Sequence, residues 1–173
     1  MSRTGHHLAS RRLLPALLLA SLLAPSWAQA NGFFEYDHGL VQSSLVTTHY
    51  KTNEDDEEYN DQQNLIGIEL HNPDRWFAGT AWLKNSFDQP IWYFYAGREF
   101  PLWQPRENLE VRAKLTAGGI RGYDGDKQDK IAYNSLGVAP AILPTIGARW
   151  RRFEADVLLF GTAGAMVNGG LRF

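Results

Sequence analysis

Apolar and polar residues alternate along most of the chain after its first thirty residues. Between residues 109 and 117 apolar side chains stand at nearly every second position, and Glu110, Arg112 and Lys114 stand between them. Successive side chains of a strand point to opposite faces, so this period predicts a strand with one apolar and one wet face. Similar runs recur. They predict eight strands, at residues 41–50, 64–70, 76–84, 91–100, 109–120, 138–150, 153–161 and 165–173.

Residues 76–99 give the clearest pair of strands. Two aromatic runs flank the polar segment 85–90, in which Asn, Asp and Pro favour a chain reversal while the aromatic residues favour strands. This stretch predicts a hairpin with a polar tip. No later segment has the length and period of a helix, and no Gly/Ser-rich or Pro-rich linker divides the chain.

Eight short strands predict a small closed barrel, but alternation does not say which face points inward. A soluble lipocalin-like barrel buries its apolar face, whereas an outer-membrane barrel presents it to lipid. The strands have about the 9–11 residues that cross a bilayer. The chain also ends in alternating Val167, Gly169, Leu171 and Phe173, which resembles the assembly signal of outer-membrane barrels. We expect an all-β, eight-stranded antiparallel transmembrane β-barrel of the outer membrane.

The first thirty residues have the order of a secretory signal peptide. Arg3, Arg11 and Arg12 precede the apolar run 13–23, and a small-x-small site ends at Ala30. The apolar run is shorter than the roughly twenty residues that a spanning helix needs. We expect residues 1–30 to be a cleaved signal peptide that delivers the chain to the cell envelope, and residues 31–173 to form the barrel.

Composition removes several classes of function. The chain has 173 residues, enough for one domain, and a net charge of −2 that gives no reason to expect a nucleic-acid partner. It has no cysteine, which excludes disulfides, thiol nucleophiles and Cys-ligated metals. Aromatic residues make up 13% of the chain, as expected where they form belts at a membrane interface. We predict no metal, no cofactor and a monomer.

An even number of strands with both termini in the periplasm fixes the orientation. Segments 71–75, 101–108 and 151–152 are then periplasmic turns. Segments 51–63, 85–90, 121–137 and 162–164 face outward, where such barrels carry their longer loops.

Four motifs, in this order and spacing, resemble the PagP-type lipid A palmitoyltransferases. They are Lys84-Asn85-Ser86-Phe87, Gly97-x-Glu99, Leu115-Thr116-Ala117-Gly118, and Ala139-Pro140 followed by Pro144. The resemblance covers residues 45–173. It implies an eight-stranded outer-membrane barrel that moves a palmitoyl chain from a phospholipid donor to a lipid A acceptor at the outer surface.

The resemblance also implies roles for particular residues. The catalytic histidine of the family falls on His49, and its Asp-Ser pair falls on Asn85 and Ser86. Asn85 is a departure, because an amide cannot orient an imidazolium by charge as aspartate does. Asp88, in the same turn, is a candidate to replace the missing carboxylate.

Two further roles follow from the same resemblance. Gly97 would form the floor of an apolar well that measures the acyl chain. Pro140 and Pro144 would mark a gap between strands through which lipid enters.

The residues permit other interpretations. Esterification of a hydroxyl needs a base, and His49 at a strand end could supply it. The reaction also needs hydrogen-bond donors for the oxyanion, which Asn85 and Ser86 could supply. Equally, these three residues could be ordinary interface and turn residues. Gly97 could ease packing, and the prolines could cause a bulge.

Three functional alternatives to the transferase remain. One is a lipid A deacylase or phospholipase, in which water is the acceptor. The others are a barrel that only binds lipid and one that admits a small solute. A pore is disfavoured because side chains fill an eight-stranded barrel.

Overall fold

In a computed structural model the chain forms a closed barrel of eight antiparallel strands, as the sequence predicts. The structure describes residues 35–50, 64–85, 88–123, 134, 137–161 and 164–173. The predicted signal peptide 1–30 lies outside these residues. The strands are β1 (His38–His49), β2 (Ile66–His71), β3 (Trp76–Lys84), β4 (Pro90–Arg106), β5 (Leu109–Arg121), β6 (Val138–Trp150), β7 (Phe153–Leu159) and β8 (Gly164–Arg172).

Each strand pairs with its neighbours in sequence, and β1 pairs with β8 to close the barrel. Both described termini and the short turns 72–75, 107–108 and 151–152 lie at one end, which we call the turn end. The other end is the loop end. Short turns are typical of the periplasmic side of such barrels.

The outside of the barrel is apolar and much of its inside is polar. Outward-pointing apolar side chains include Val41, Leu45, Ile66, Ile68, Leu70, Trp92, Phe94, Ile142, Ile146 and Leu171. Buried inward-pointing charged side chains are Glu69, Glu99, Arg112, Lys114, Glu154 and Asp156. This polarity is that of a transmembrane barrel and is the reverse of a soluble lipocalin-like barrel. Separately, no helix in the described part of the chain is long and apolar enough to span a membrane.

The predicted turn 101–108 is wrong. Strand β4 continues to Arg106, so the connection to β5 contains only residues 107–108. Pro101 indicated a turn because proline lacks the N–H that a regular ladder needs. The structure accommodates this segment through register shifts between Pro101 and Trp103 and between Trp103 and Arg106. The β4–β5 hairpin therefore extends at the turn end with its residues exposed.

The lumen divides into two halves. We call the half nearer the loop end the apolar half; its side chains include Leu65, Ala81, Leu83, Ile91, Tyr93, Leu143, Leu158, Phe160 and Met166. We call the half nearer the turn end the charged half; it contains Glu69, Glu99, Glu110, Arg112, Lys114, Arg149, Glu154, Asp156 and Arg172. Phe77 and Tyr95 lie between the halves, where their rings meet edge to face at 6.3 Å.

Candidate functional site

The turn that follows β3 holds the Asn85 side chain in place. Asn85 is buried, its Oδ1 accepts from the Gln89 backbone N–H at 3.0 Å, and its Nδ2 donates to Gln89 Oε1 at 3.1 Å. The Asp88 backbone N–H donates to the Asn85 carbonyl at 3.0 Å, with Asp88 in the left-handed region at φ 62°. Asn85 thus closes the turn in the way Asx residues commonly do.

Asp88 points away from this closed turn. Its carboxylate accepts from Lys84 Nζ at 2.8 Å, and its side chain is 64% exposed. Lys84 belongs to the outward-facing side of β3, so the pair lies on the outer wall.

His49 and Asn85 lie at the same end of the barrel. His49 is the last residue of β1 and pairs with Gly164 of β8, and Asn85 directly follows β3. Both therefore stand at the loop end, where the sequence placed them. Ser86, the third predicted catalytic residue, lies outside the described residues.

The ladder between β6 and β7 is incomplete at the loop end. It runs from Thr145 paired with Leu158 to Trp150 paired with Phe153. Residues 138–144 of β6, which include Pro140 and Pro144, pair with β5 on one side. In the described chain no residue of β7 pairs with them on the other side. The two prolines supply no N–H, so this edge has fewer donors to offer a neighbour.

A second interruption lies beside His49. The β1–β2 ladder ends at Ser43 paired with Ile66, although Ser44 and Leu65 still exchange hydrogen bonds. From Val46 to His49, β1 pairs with β8 but with no described residue on its β2 side. Two stretches of wall at the loop end are thus less completely paired than the rest of the described barrel.

Gly97 faces the lumen, as the alternation in β4 predicts. Trp92 and Phe94 point outward, whereas Tyr93 and Tyr95 are buried inside. The space in front of Gly97 is filled, however. A Cβ at this position would lie 2.6 Å from Cζ of Phe77 and 2.7 Å from the carbonyl oxygen of Leu115.

The floor of the apolar half is a hydrogen-bonded layer. Gln42 Nε2 donates to Glu69 Oε1 at 3.1 Å and to the Tyr95 hydroxyl at 3.0 Å, and that hydroxyl donates to Glu69 Oε1 at 3.0 Å. Tyr93 and Thr116 share a further bond of 3.0 Å. A cavity of about 40 Å³ lies among these side chains. It has room for a few water molecules at most.

Tyr123 covers the apolar half from the loop end. It follows β5 and packs against the buried apolar cluster. Burial raises the pKa of Tyr123 above its usual value, so the phenol stays neutral at physiological pH.

Below this floor, charged side chains close the lumen. Arg112 is fully buried and donates to Glu99 at 3.1 Å, to Asp156 at 3.1 Å and to Glu154. Lys114 Nζ donates to Glu69 at 3.0 Å. Buried charges of this kind are stable only when paired and hydrogen-bonded, which these contacts provide.

The alternation along β5 did not predict this charged half as a unit. It placed Glu110, Arg112 and Lys114 on one wet face, but not their partners. The available signal was the alternation in β2 and β7, which also puts Glu69, Glu154 and Asp156 on the inward face. Opposite charges on the inward faces of several strands predict ion pairs inside a barrel.

At the turn end the network continues into the β2–β3 connection. Arg75 donates to both carboxylate oxygens of Glu110, at 2.9 and 3.2 Å. These hydrogen bonds raise the pKa of Arg75 above its usual value, against the opposing effect of partial burial. Among the described residues, no group of three or more His, Asp or Glu side chains is placed to hold a metal ion.

Comparisons with known proteins add little beyond the fold. No protein-family model matches the chain, and no characterised protein matches it in sequence. Among solved structures it is similar to the outer membrane protein Ail of Yersinia pestis, in a backbone structure obtained in a phospholipid bilayer nanodisc. The identity is 13%, the TM-score is 0.36, and the match covers 79% of this chain and 99% of Ail. A similarity this distant carries no argument about function.

Proposed function

We propose that this barrel resides in the outer membrane as a monomer and moves a palmitoyl chain from a phospholipid to lipid A, without a cofactor. The observation that carries the proposal is the incomplete β6–β7 ladder at residues 138–144, which borders the apolar half of the lumen. An unpaired stretch of wall is where an acyl chain in the bilayer could pass between strands. The apolar half, above a charged layer, is the part of the lumen in which methylenes would be buried favourably.

The motifs that resemble PagP-type enzymes support the roles of three loop-end residues. In the proposed reaction the lipid A hydroxyl attacks the acyl carbonyl of the phospholipid ester, and His49 accepts its proton. Ser86 and the Asn85 amide donate to the oxyanion. The ester bond then breaks, and the lysophospholipid oxygen takes the proton from the His49 imidazolium.

Comparing lipid A from cells with and without the gene tests this proposal. Mass spectrometry should show one additional palmitoyl chain when the gene is expressed. Loss of an acyl chain would instead indicate a lipid A deacylase, and release of lysophospholipid with unchanged lipid A would indicate a phospholipase. Unchanged lipids would reject all three enzymes.

A barrel that binds lipid without catalysis is the second candidate, and two observations favour it. The Asn85 side chain is engaged with Gln89, and the Asp88 carboxylate is held by Lys84 on the outer wall. The cavity at the floor of the apolar half, about 40 Å³, is also far smaller than a palmitoyl chain. The transferase therefore requires side chains of the apolar half to move when lipid enters. Binding of a spin-labelled phospholipid with unchanged lipid A would identify this second candidate.

A further inference from the structure

Arginine side chains lie on the outside of the barrel at or near the turn end, where the proposed acyl transfer does not use them. We call them the basic band; they are Arg98, Arg106, Arg151 and Arg152. None of them forms an ion pair with another residue that the structure describes. The arginines and the lysine of the charged half, by contrast, are all paired with carboxylates.

The strand register places two members of the basic band on the outer wall. Arg98 of β4 pairs with Trp76 and alternates with the buried, inward Glu99, and Arg106 pairs with Leu109 of β5. From Leu109 the same row continues over the outside of the next three strands through the exposed Trp150, Phe153 and Leu171. Arg106 therefore stands at one end of an apolar row on the lipid-facing wall.

Aromatic rings contact two of the guanidinium groups. The Arg98 guanidinium lies 5.3 Å from the ring centroid of Trp76 and 5.8 Å from that of Phe100, and the Arg151 guanidinium lies 5.3 Å from that of Trp150. Tryptophan belts mark the membrane–water interface of such barrels, and an outward arginine costs far less there than at the bilayer midplane. These contacts place the basic band at the headgroup level of the leaflet at the turn end.

The carboxylates of the adjoining turns do not balance this charge. Asp74 in the turn 72–75 and Glu107 in the turn 107–108 are the acidic residues of those turns, against four arginines. Neither forms an ion pair with the basic band in the described part of the chain. The outside of the barrel is therefore positive here, which complements an anionic headgroup.

The open edge of β4 at this end is unsuited to pairing with a second copy of the barrel. The β3–β4 ladder ends at Trp76 and Arg98, so residues 100–106 have no partner on that side among the described residues. Pro101 and Pro105 lie in this stretch, and proline lacks the N–H that an added strand would need. The like charges of two basic bands would also repel each other.

We propose that the basic band binds the headgroup of an anionic phospholipid. The guanidinium groups donate to the phosphate, for which arginine is well suited, while the exposed rings of Trp103, Trp150 and Phe153 contact the acyl chains. Short turns are typical of the periplasmic side, so the lipid belongs to the inner leaflet. The proposal concerns only the outer wall at the turn end and is independent of acyl transfer.

The experiment uses native mass spectrometry of the refolded mature barrel in a maltoside detergent, which counts the lipids that remain bound. The probes are phosphatidylglycerol and phosphatidylcholine with identical acyl chains, titrated separately. The test variants are Arg98→Gln and Arg151→Gln, and a quadruple variant that adds Arg106→Gln and Arg152→Gln. Arg121→Gln is the matched control, because Arg121 is an exposed arginine that ends β5 at the loop end. Gel mobility without heating verifies that each variant is a closed barrel.

We expect the wild-type barrel to bind phosphatidylglycerol roughly tenfold more tightly than phosphatidylcholine. Each single test variant should weaken phosphatidylglycerol binding about fivefold, the effect of one arginine near an anionic surface, and the quadruple variant should bind both lipids equally. Arg121→Gln should change neither affinity.

Equal binding of the two lipids by the wild-type barrel would overturn the proposal. Weakening in Arg121→Gln as large as that in Arg98→Gln would also overturn it, as would a dimer that binds no lipid. If the quadruple variant does not fold, the single variants and the lipid preference of the wild-type barrel decide the question.

Discussion

The proposed acyl transfer depends on His49 and Ser86. Alanine at either position should lower turnover about 100-fold or more, the usual loss when acid–base or oxyanion assistance is removed. Release of a labelled palmitoyl group in detergent measures this, and Thr48→Ala, an exposed neighbour, is the control. Asn85→Asp should keep or raise activity because it restores the carboxylate of the PagP-type enzymes that the motifs resemble. Full activity in His49→Ala would end the assignment.

Asp88 tests whether a neighbouring carboxylate has taken over that role. Because Asp88 is paired with Lys84 on the outer wall, we expect Asp88→Ala to keep most of the activity. A loss as large as that in His49→Ala would instead make Asp88 the partner of the base.

Gly97 provides a second test. The family resemblance predicts that Gly97→Met shifts selectivity from palmitate toward shorter acyl chains without abolishing transfer. The geometry predicts a different result, because even a Cβ would meet Phe77 and the Leu115 carbonyl oxygen, and the backbone oxygen cannot rotate away. We expect Gly97→Ala to destabilise the barrel by roughly 1–3 kcal/mol, as overpacking does.

Urea unfolding followed by tryptophan fluorescence measures the effect of Gly97→Ala. Gly169→Ala is the control, because the nearest atoms to its Cβ would belong to the flexible Leu45 side chain, at 3.3 Å. A Gly97→Met barrel of normal stability that transferred shorter chains would instead establish Gly97 as the floor of the well.

Arg112 is the residue on which the charged half depends most. Arg112→Ala leaves Glu99, Glu154 and Asp156 buried with one partner fewer each. Breaking a buried ion pair from one side typically costs about 3–5 kcal/mol. We expect a loss of that size in urea unfolding, and almost none for the exposed Arg152→Ala. A loss below about 1 kcal/mol would mean that the carboxylates are solvated despite their burial.

The sequence predicted which way these side chains point, but not what they touch. Once the apolar side of β4 is assigned to lipid, its alternation places Tyr93, Tyr95 and Gly97 inside the barrel. It could not place the Phe77 ring over Gly97, because that contact depends on the register between β3 and β4. Nor could it show Asn85 bonded to Gln89, since this depends on the backbone conformation of the turn.

Two prolines of β6, Pro140 and Pro144, allow a test of the proposed lipid entry. Replacing both with alanine restores two N–H donors to β6 beside the unpaired edge, which favours closer association with β7. We expect slower acyl transfer with unchanged or higher thermal stability. Pro105→Ala, at the exposed end of β4, should change neither. Unchanged transfer in the double variant would remove the β6–β7 gap as the route for lipid.

The sequence predicted all eight strands, but it did not predict where some of them end. The sequence predicted β3 and β6 at the bounds that the structure shows, since their alternation ends at polar turns. It ended β4 six residues too early, because bulges that admit Pro101 and Pro105 leave no regular period to read. Prolines in a strand therefore had two outcomes in one barrel: an irregular extension of β4 and an unpaired edge of β6.

At the scale of the whole molecule, the division of the lumen was not predictable from the sequence. The charged half joins residues far apart in the chain, such as Lys114 and Glu69, or Arg112 and Glu154. A strand period shows that each faces inward, but their meeting depends on barrel closure and stagger. The same closure places the apolar half at the loop end, where a lipid acceptor in the outer leaflet would lie.

This division predicts that the barrel does not conduct ions. Arg112 is paired with Glu99 on the neighbouring β4, and Arg112 and Lys114 reach across the lumen to carboxylates on β7 and β2, so paired side chains fill the charged half. In planar bilayers we expect no stable conductance steps from the wild-type protein. The protein should also fractionate with outer membranes, and it should keep the gel mobility of a compact barrel until it is heated. Replacing Arg112 and Lys114 together with alanine removes the cations that hold these carboxylates across the lumen, and should give a cation-selective leak. Discrete steps from the wild-type barrel would contradict the closed lumen and would favour passage of a small solute over acyl transfer.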